Sequence, residues 1–188
     1  MEAVFVALGV VFLAELGDKS QLIALTFAAR GRPLAVLAGI AGAVVVLQAM
    51  AVGVGAVLAE ALPDRPIEVL AGLAFLVFAA LALRVDDGDD AVDDAKVPRT
   101  ARAVALAAAG AFFVAELGDR TQLATLTLAS TNGVLGTWVG AVIGEVAADA
   151  LAILIGHKIG TRLPERTLQI ISAVAFATFG VVLLLDLG

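Results

Sequence analysis

Six apolar runs divide this chain, at about 3–29, 33–59, 67–85, 101–129, 133–157 and 167–187, and they decide which solvent it can fold in. Each is close to or above the roughly 20 residues that a helix needs to cross the hydrocarbon core of a bilayer. Polar or helix-breaking residues separate them: Gly31-Arg32-Pro33, Pro63-Asp64-Arg65-Pro66, an acidic stretch closing at Pro98, Thr131-Asn132-Gly133 and Leu163-Pro164-Glu165. With 61% of 188 residues hydrophobic and 16% charged, too little polar surface is left to coat a water-soluble body. No ten-residue alternating segments suggest a barrel, so helices are the spanning structure that satisfies the backbone. The expected fold class is an all-α membrane protein with six transmembrane helices. The chain opens Met1-Glu2 without a basic segment, so its first run is expected to stay as a span rather than be cleaved as a leader.

Orientation follows from the basic residues outside the spans. Arg30, Arg32, Arg84, Lys96, Arg99, Arg102, Lys158, Arg162 and Arg166 fall on one side, and Arg65 alone on the other. The positive-inside rule puts the first side in the cytoplasm and both termini outside. The formal net charge of −6 is not a property of the whole surface, because six Asp residues crowd between Asp86 and Asp94. That run reads as a solvated cytoplasmic linker. No basic stripe offers a footprint for nucleic acid. Cysteine is absent, which removes disulfides and thiolate metal sites. Trp138 is expected as an interface anchor, and His157, beside Lys158, as a solvated interfacial residue.

The second half of the chain repeats the first at an offset of 101 residues, the difference between Glu116 and Glu15. Ala14-Glu15-Leu16-Gly17-Asp18-Lys19-Ser20-Gln21-Leu22 aligns with Ala115-Glu116-Leu117-Gly118-Asp119-Arg120-Thr121-Gln122-Leu123. Further matches follow without a gap, among them Thr26 with Thr127, Gly39 with Gly140, Phe75 with Phe176 and Phe78 with Phe179. Alanine- and leucine-rich sequence matches itself by chance at apolar positions, but it does not duplicate a charged, amide-bearing motif in register. Three spans per copy is an odd number, so the second copy enters the membrane upside down. The domains are then a first three-helix repeat at 1–85, an acidic linker at 86–99 and a second three-helix repeat at 100–188. Inverted repeats of this kind recur in secondary transporters, with the substrate site near the midplane.

Glu15 and Asp18, three residues apart, lie on one face of a continuous helix, with Leu22 extending the stripe; Glu116 and Asp119 repeat the arrangement. A carboxylate at a helix centre costs roughly 2.5–3.5 kcal/mol to insert, so four of them demand compensation. One reading is purely structural: Glu15–Lys19 and Glu116–Arg120 are helix-spaced ion pairs. It leaves both aspartates unexplained. The functional reading is a hard-cation site with oxygen ligands from Glu15, Asp18, Ser20, Gln21, Glu116, Asp119, Thr121 and Gln122, suited to Mg²⁺, Ca²⁺ or Mn²⁺. Gly17 and Gly118 allow the helices to bend or unwind there. Four carboxylates and the two bases Lys19 and Arg120 leave about −2, the charge that one divalent ion neutralises. Clustered carboxylates take up protons when the cation leaves and release them when it binds, which couples the two. On the fifth span Glu145 and Asp149 share a face where the first copy has Val44 and Gln48. Their expected role is a proton relay or an auxiliary cation contact, with interhelical hydrogen bonding as the alternative.

The twin Glu-Leu-Gly-Asp-basic-hydroxyl motifs resemble the paired signatures of the Gdt family of cation/proton exchangers, which includes Golgi, chloroplast and bacterial manganese transporters. The resemblance extends over the six spans, the two halves and the acidic linker. It implies exchange of Mn²⁺ or Ca²⁺ for H⁺ through the signature acids, carried here by Glu15, Asp18, Glu116 and Asp119. In a compact prokaryotic member it implies manganese export across the plasma membrane. No enzyme activity and no cofactor are expected, since nothing pairs a nucleophile with a base. Partners are the bilayer, divalent cations and protons, for a monomer or a homodimer. A passive cation channel and an exporter of small organic solutes remain as alternatives, separable by whether metal flux follows a pH gradient.

Overall fold

The computed structural model describes residues 1–16, 18, 20–28, 32–61, 64–83, 100–159 and 165–185. Eight helices run along the described residues: α1 (Glu2–Glu15), α2 (Ser20–Ala28), α3 (Pro33–Ala61), α4 (Asp64–Ala82), α5 (Ala101–Glu116), α6 (Arg120–Asn132), α7 (Val134–Ile159) and α8 (Glu165–Leu185). Gly17, Lys19, the 86–99 linker and the side chain of His157 lie outside the described residues.

The local reasons for these limits are plain in the sequence. Pro33 opens α3 at the first helical position, where its missing N–H costs nothing. Thr100 caps α5, its Oγ1 accepting from the backbone N–H of Ala103 at 3.2 Å. Gly133, at φ +95°, makes the sharp step from α6 into α7 that a residue with a side chain adopts only with strain.

The two runs carrying the doubled motif, 3–29 and 101–129, are each broken into two helices, the bend or unwinding that Gly17 and Gly118 allow, and this corrects the single helical face expected for each motif. α1 stops at Glu15 with Leu16 extended (φ −63°, ψ 115°), and α5 stops at Glu116 with Leu117 in nearly the same conformation (φ −63°, ψ 108°). α5 and α6 meet at a bend of 72°. Asp18 and Asp119 therefore lie in the breaks, off the helix face of their glutamates, and no stripe from Glu15 through Asp18 to Leu22 exists.

Packing joins the halves crosswise. α1 lies along α7, α3 along α5, and α4 along α8. The first two pairs exchange when the halves are exchanged, and the third maps onto itself. The closest approaches repeat as well: a Cβ on Gly39 would lie 2.1 Å from the Ala105 carbonyl oxygen, and one on Gly140 would lie 2.2 Å from that of Val4, the repeat equivalent of Ala105. Such contact distances are available only to small residues, which is how membrane helices gain van der Waals packing. Between α4 and α8 the repeated phenylalanines face one another, with Phe75 and Phe176 ring centroids 5.9 Å apart and Phe78 and Phe176 also 5.9 Å apart.

Among the described residues, α3 and residues 134–154 of α7 are long and apolar enough to cross a bilayer, and α5–α6 form a third span when read as one bent segment. α4 and α8 carry shorter apolar stretches, Val69–Leu81 and Ala173–Val182. Val46, Val54, Val57, Leu70, Val77, Val114, Leu154, Val174 and Val182 point outward. So much exposed aliphatic surface belongs against lipid rather than water.

Candidate metal centre

Each break frees backbone groups in the apolar interior, and the motif satisfies them locally. The Asp18 N–H donates to the Glu15 carbonyl at 3.1 Å, and the Asp119 N–H to that of Glu116 at 3.0 Å. The same carbonyls accept from the glutamine amides: Gln21 Nε2 reaches Glu15 O at 2.7 Å and Gln122 Nε2 reaches Glu116 O at 2.9 Å. Gln122 uses the other end of its amide to accept from the Gly118 N–H at 3.3 Å. The glutamines, expected among the metal ligands, thus have their amide nitrogens bonded across the breaks. Asp119 caps α6, its Oδ2 accepting from the Thr121 N–H at 3.4 Å.

These breaks turn the carboxylates toward one another. One carboxylate oxygen from each of Glu15, Glu116 and Glu145 lies within 4.8 Å of the other two, and the same holds for Asp18, Glu116 and Asp119. Glu116 belongs to both trios. Some point lies within about 2.8 Å of all three corners of any triangle whose sides are at most 4.8 Å, so a small contraction brings each trio to the 2.3–2.6 Å of calcium–oxygen contacts. The trios differ in access. Glu15, Glu116 and Glu145 are 0–2% exposed, whereas the Asp18 and Asp119 side chains are 9% and 24% exposed. The first is an inner set, and the second leads outward from it.

The hydroxyls of both motifs converge on one glutamate. Ser20 Oγ donates to Glu15 Oε1 at 2.6 Å, and Thr121 Oγ1 donates to Glu15 Oε2 at 3.1 Å. Glu116 Oε2 is buried and has no hydrogen-bond partner among the described residues. Arg120 does not pair with Glu116 as helix spacing would have it. Its guanidinium reaches across to Asp18 and lies 3.9 Å from Asp119 Oδ1. The break is the reason, because residue 120 starts a new helix on a different heading. Lys19, its counterpart, lies outside the described residues.

The fifth-span residues join this cluster. Glu145 completes the inner trio, and Asp149, one turn further along α7, is fully buried with neither oxygen partnered among the described residues. Gln48, noted in the sequence only as the repeat equivalent of Asp149, is fully buried on α3, and its Nε2 donates to Glu145 Oε2. It is the one polar side chain in α3 apart from Glu60 near the helix end, and that isolation is the signal that marks it. Thr125 and Thr137 are further buried polar residues that no motif in the sequence marks. Trp138, expected at the membrane interface, is partly buried and donates from Nε1 to the Val45 carbonyl at 3.3 Å.

Gly118 has φ +83°, and no atom lies within 4 Å of the position that a Cβ would take there, so Gly118→Ala meets strain but no clash. Gly118→Ala is expected to lower stability by about 1 kcal/mol, whereas Gly110→Ala, inside α5 and equally open, leaves it unchanged or raises it slightly. Thermal unfolding of the two variants in detergent checks the difference in sign.

Known proteins resemble the chain over nearly its whole length. A "GDT1-like protein" of Synechocystis is 29% identical over 188 residues, with 90% of each chain covered. A Vibrio cholerae protein provisionally named a manganese exporter is 31% identical over 181 residues, covering 94% of this chain and 87% of that protein. "GDT1-like protein 3" of rice is 25% identical over 202 residues, covering 96% of this chain and 72% of the relative. No solved structure matches. The family described as "Divalent cation/proton antiporter GDT1" matches residues 3–90 and 104–187, and each segment contains one copy of the motif. The chain belongs to the GDT1 family of divalent cation/proton antiporters.

Proposed function

We propose that this protein exports Mn²⁺ from the cytoplasm in exchange for protons, with Ca²⁺ as a second substrate, across the plasma membrane. The observation that carries the reading is the pair of carboxylate trios sharing Glu116, one inner and one leading outward. Glu15, Asp18, Glu116 and Asp119 ligate the metal as it passes. Ser20 and Thr121 supply hydroxyl oxygens, and Gln21 and Gln122 hold the helix breaks that aim the carboxylates. Arg120 balances charge at Asp18 and Asp119 while the metal is elsewhere, with Lys19 as its counterpart in the first motif. Asp149 holds a proton beside the site.

Coupling follows from charge. The sequence sets six carboxylates (Glu15, Asp18, Glu116, Asp119, Glu145 and Asp149) against two basic residues in the motifs, Lys19 and Arg120. Loss of a divalent cation leaves negative charge that so dry a site tolerates only by taking up protons. Falling pH therefore weakens metal binding, and metal binding releases protons. The topology proposed is six spans, with α1–α2, α3 and α4 forming one half and α5–α6, α7 and α8 an inverted second half. The crosswise pairing of α1 with α7 and α3 with α5 supports two halves related by a two-fold axis, and an odd number of spans per half lays that axis in the membrane. Both termini then lie outside and the 86–99 linker lies in the cytoplasm, in keeping with the basic residues on that side.

The test is Mn²⁺ and Ca²⁺ flux in proteoliposomes under an imposed pH gradient. Metal is expected to accumulate on the acidic side of the membrane, against its own gradient, and Asp18→Asn is expected to remove most of that flux. Metal flux of equal rate with and without the gradient would replace exchange by passive conduction. Absence of metal flux would end the reading.

A further inference from the structure

Two residues outside the doubled motif complete the inner site. We propose that Glu145 ligates the same cation as Glu15 and Glu116, and that Gln48 fixes Glu145 while offering its own Oε1 as a neutral ligand that sets selectivity. The inference rests on the exchanger reading above and adds a second pair of helices to its site.

The geometry comes from four elements. Glu15 ends α1, Glu116 ends α5, Glu145 sits in the middle of α7 and Gln48 in the middle of α3. The oxygens of the three glutamates lie within 4.8 Å of one another. Gln48 Nε2 donates to Glu145 Oε2, so the amide is anchored on a member of the trio. That bond leaves Gln48 Oε1 buried and without a hydrogen-bond partner among the described residues, as is Glu116 Oε2. Gln48 itself is 0% exposed. A buried amide carbonyl left empty-handed costs free energy in the metal-free protein, and a hard cation beside it removes that cost. An interhelical hydrogen bond alone would account for Nε2 but would not explain why the oxygen is left over.

The repeat sharpens the point. At the positions equivalent to Glu145 and Asp149 the first half has Val44 and Gln48. A strictly symmetric site would present the cation with matching groups from α3 and α7. Here α7 brings carboxylates and α3 brings one amide, so the long helices add charge from one side and a neutral oxygen from the other. Ca²⁺ takes six to eight oxygens, whereas Mn²⁺ favours six in octahedral array. Loss of a neutral oxygen therefore harms Ca²⁺ binding more than Mn²⁺ binding.

The experiment uses the full chain in proteoliposomes, measuring KM for Mn²⁺ and for Ca²⁺ in the intact protein, Glu145→Gln and Gln48→Leu. Glu145→Gln is expected to raise both KM values about tenfold or more. Gln48→Leu is expected to raise the KM for Ca²⁺ several-fold more than that for Mn²⁺, a difference that lost packing would not produce. Both KM values staying within twofold in both variants, or rising equally in Gln48→Leu, would overturn the proposal. If the intact protein shows no proton-coupled metal flux, the exchanger reading itself fails instead. A second measurement needs no variant: a hydrophobic carbodiimide labels buried carboxyl groups, and peptide mass spectrometry locates the adduct. Mn²⁺ is expected to protect Glu145 together with Glu15 and Glu116, and labelling of Glu145 that ignores Mn²⁺ would overturn its role as a ligand.

Discussion

Glu116→Gln is expected to reduce proton-driven Mn²⁺ transport by at least about 100-fold, the largest loss from any single carboxylate, while leaving the fold intact. Glu116 is the member common to both trios, so its loss removes a ligand from the inner set and from the outward set together. Its Oε2 is buried and unpartnered among the described residues, so a glutamine there puts an amide where a cation needs an oxygen. Outer-shell changes at metal sites already cost 10–100-fold in affinity, and a shared ligand stands above that range. The fold survives because the break after α5 is held through the backbone carbonyl of Glu116, which accepts from Gln122 and Asp119 whatever the side chain is. Asp119→Asn is expected to lose less, since its side chain is 24% exposed and serves the outward trio alone. A thermal-shift titration separates binding from folding. Mn²⁺ at 100 times its dissociation constant stabilises the intact protein by about 2.7 kcal/mol, and that shift should vanish in Glu116→Gln. A Glu116→Gln protein that transports at more than a tenth of the normal rate would remove this residue from the centre of the site.

Much of this arrangement is legible in the amino-acid sequence, and the parts that are not have identifiable causes. The doubled motif announces itself because charged and amide residues recur at one offset, and the residues it contains do meet: Thr121 of the second copy bonds Glu15 of the first, and Arg120 reaches Asp18. The glycines of the motif mark where the helices can bend or unwind, but that α5 ends at Glu116 and restarts on a new heading at Arg120 depends on the backbone, with Gly118 at positive φ. Helical spacing then misassigns Arg120 to Glu116, and the part the glutamine amides take in the breaks shows only once those breaks are in place. Glu145 is visible as a carboxylate in an apolar run, but its nearness to Glu15 depends on α1 lying along α7, a pairing between distant segments that no local pattern records. Gln48 is hidden for a similar reason. One amide in 29 residues of α3 looks incidental until the α7 carboxylate it holds is brought beside it.

Gly39→Ala and Gly140→Ala are expected to be the most damaging substitutions remote from the site, each costing about 3 kcal/mol or more, at the upper end of overpacking. A single methyl group is enough. The added Cβ would lie 2.1 Å from the Ala105 carbonyl oxygen in one case and 2.2 Å from that of Val4 in the other. Both obstacles are backbone atoms within helices, so no rotamer change relieves the overlap and the helix axes must separate. Gly42→Ala is the control: it lies on the same helix as Gly39 with open space at its Cβ, and should be neutral or slightly stabilising. The damage reaches the metal centre by a direct route. α3 carries Gln48 and packs on α5, which ends at Glu116; α7 carries Glu145 and packs on α1, which ends at Glu15. Moving either pair apart widens the trio whose oxygens now lie within 4.8 Å. Mn²⁺ stabilisation should therefore fall together with thermal stability in both glycine variants and stay normal in Gly42→Ala. Gly140→Ala retaining both the melting temperature and the Mn²⁺ shift of the intact protein would mean that α1 and α7 do not hold the site at this separation.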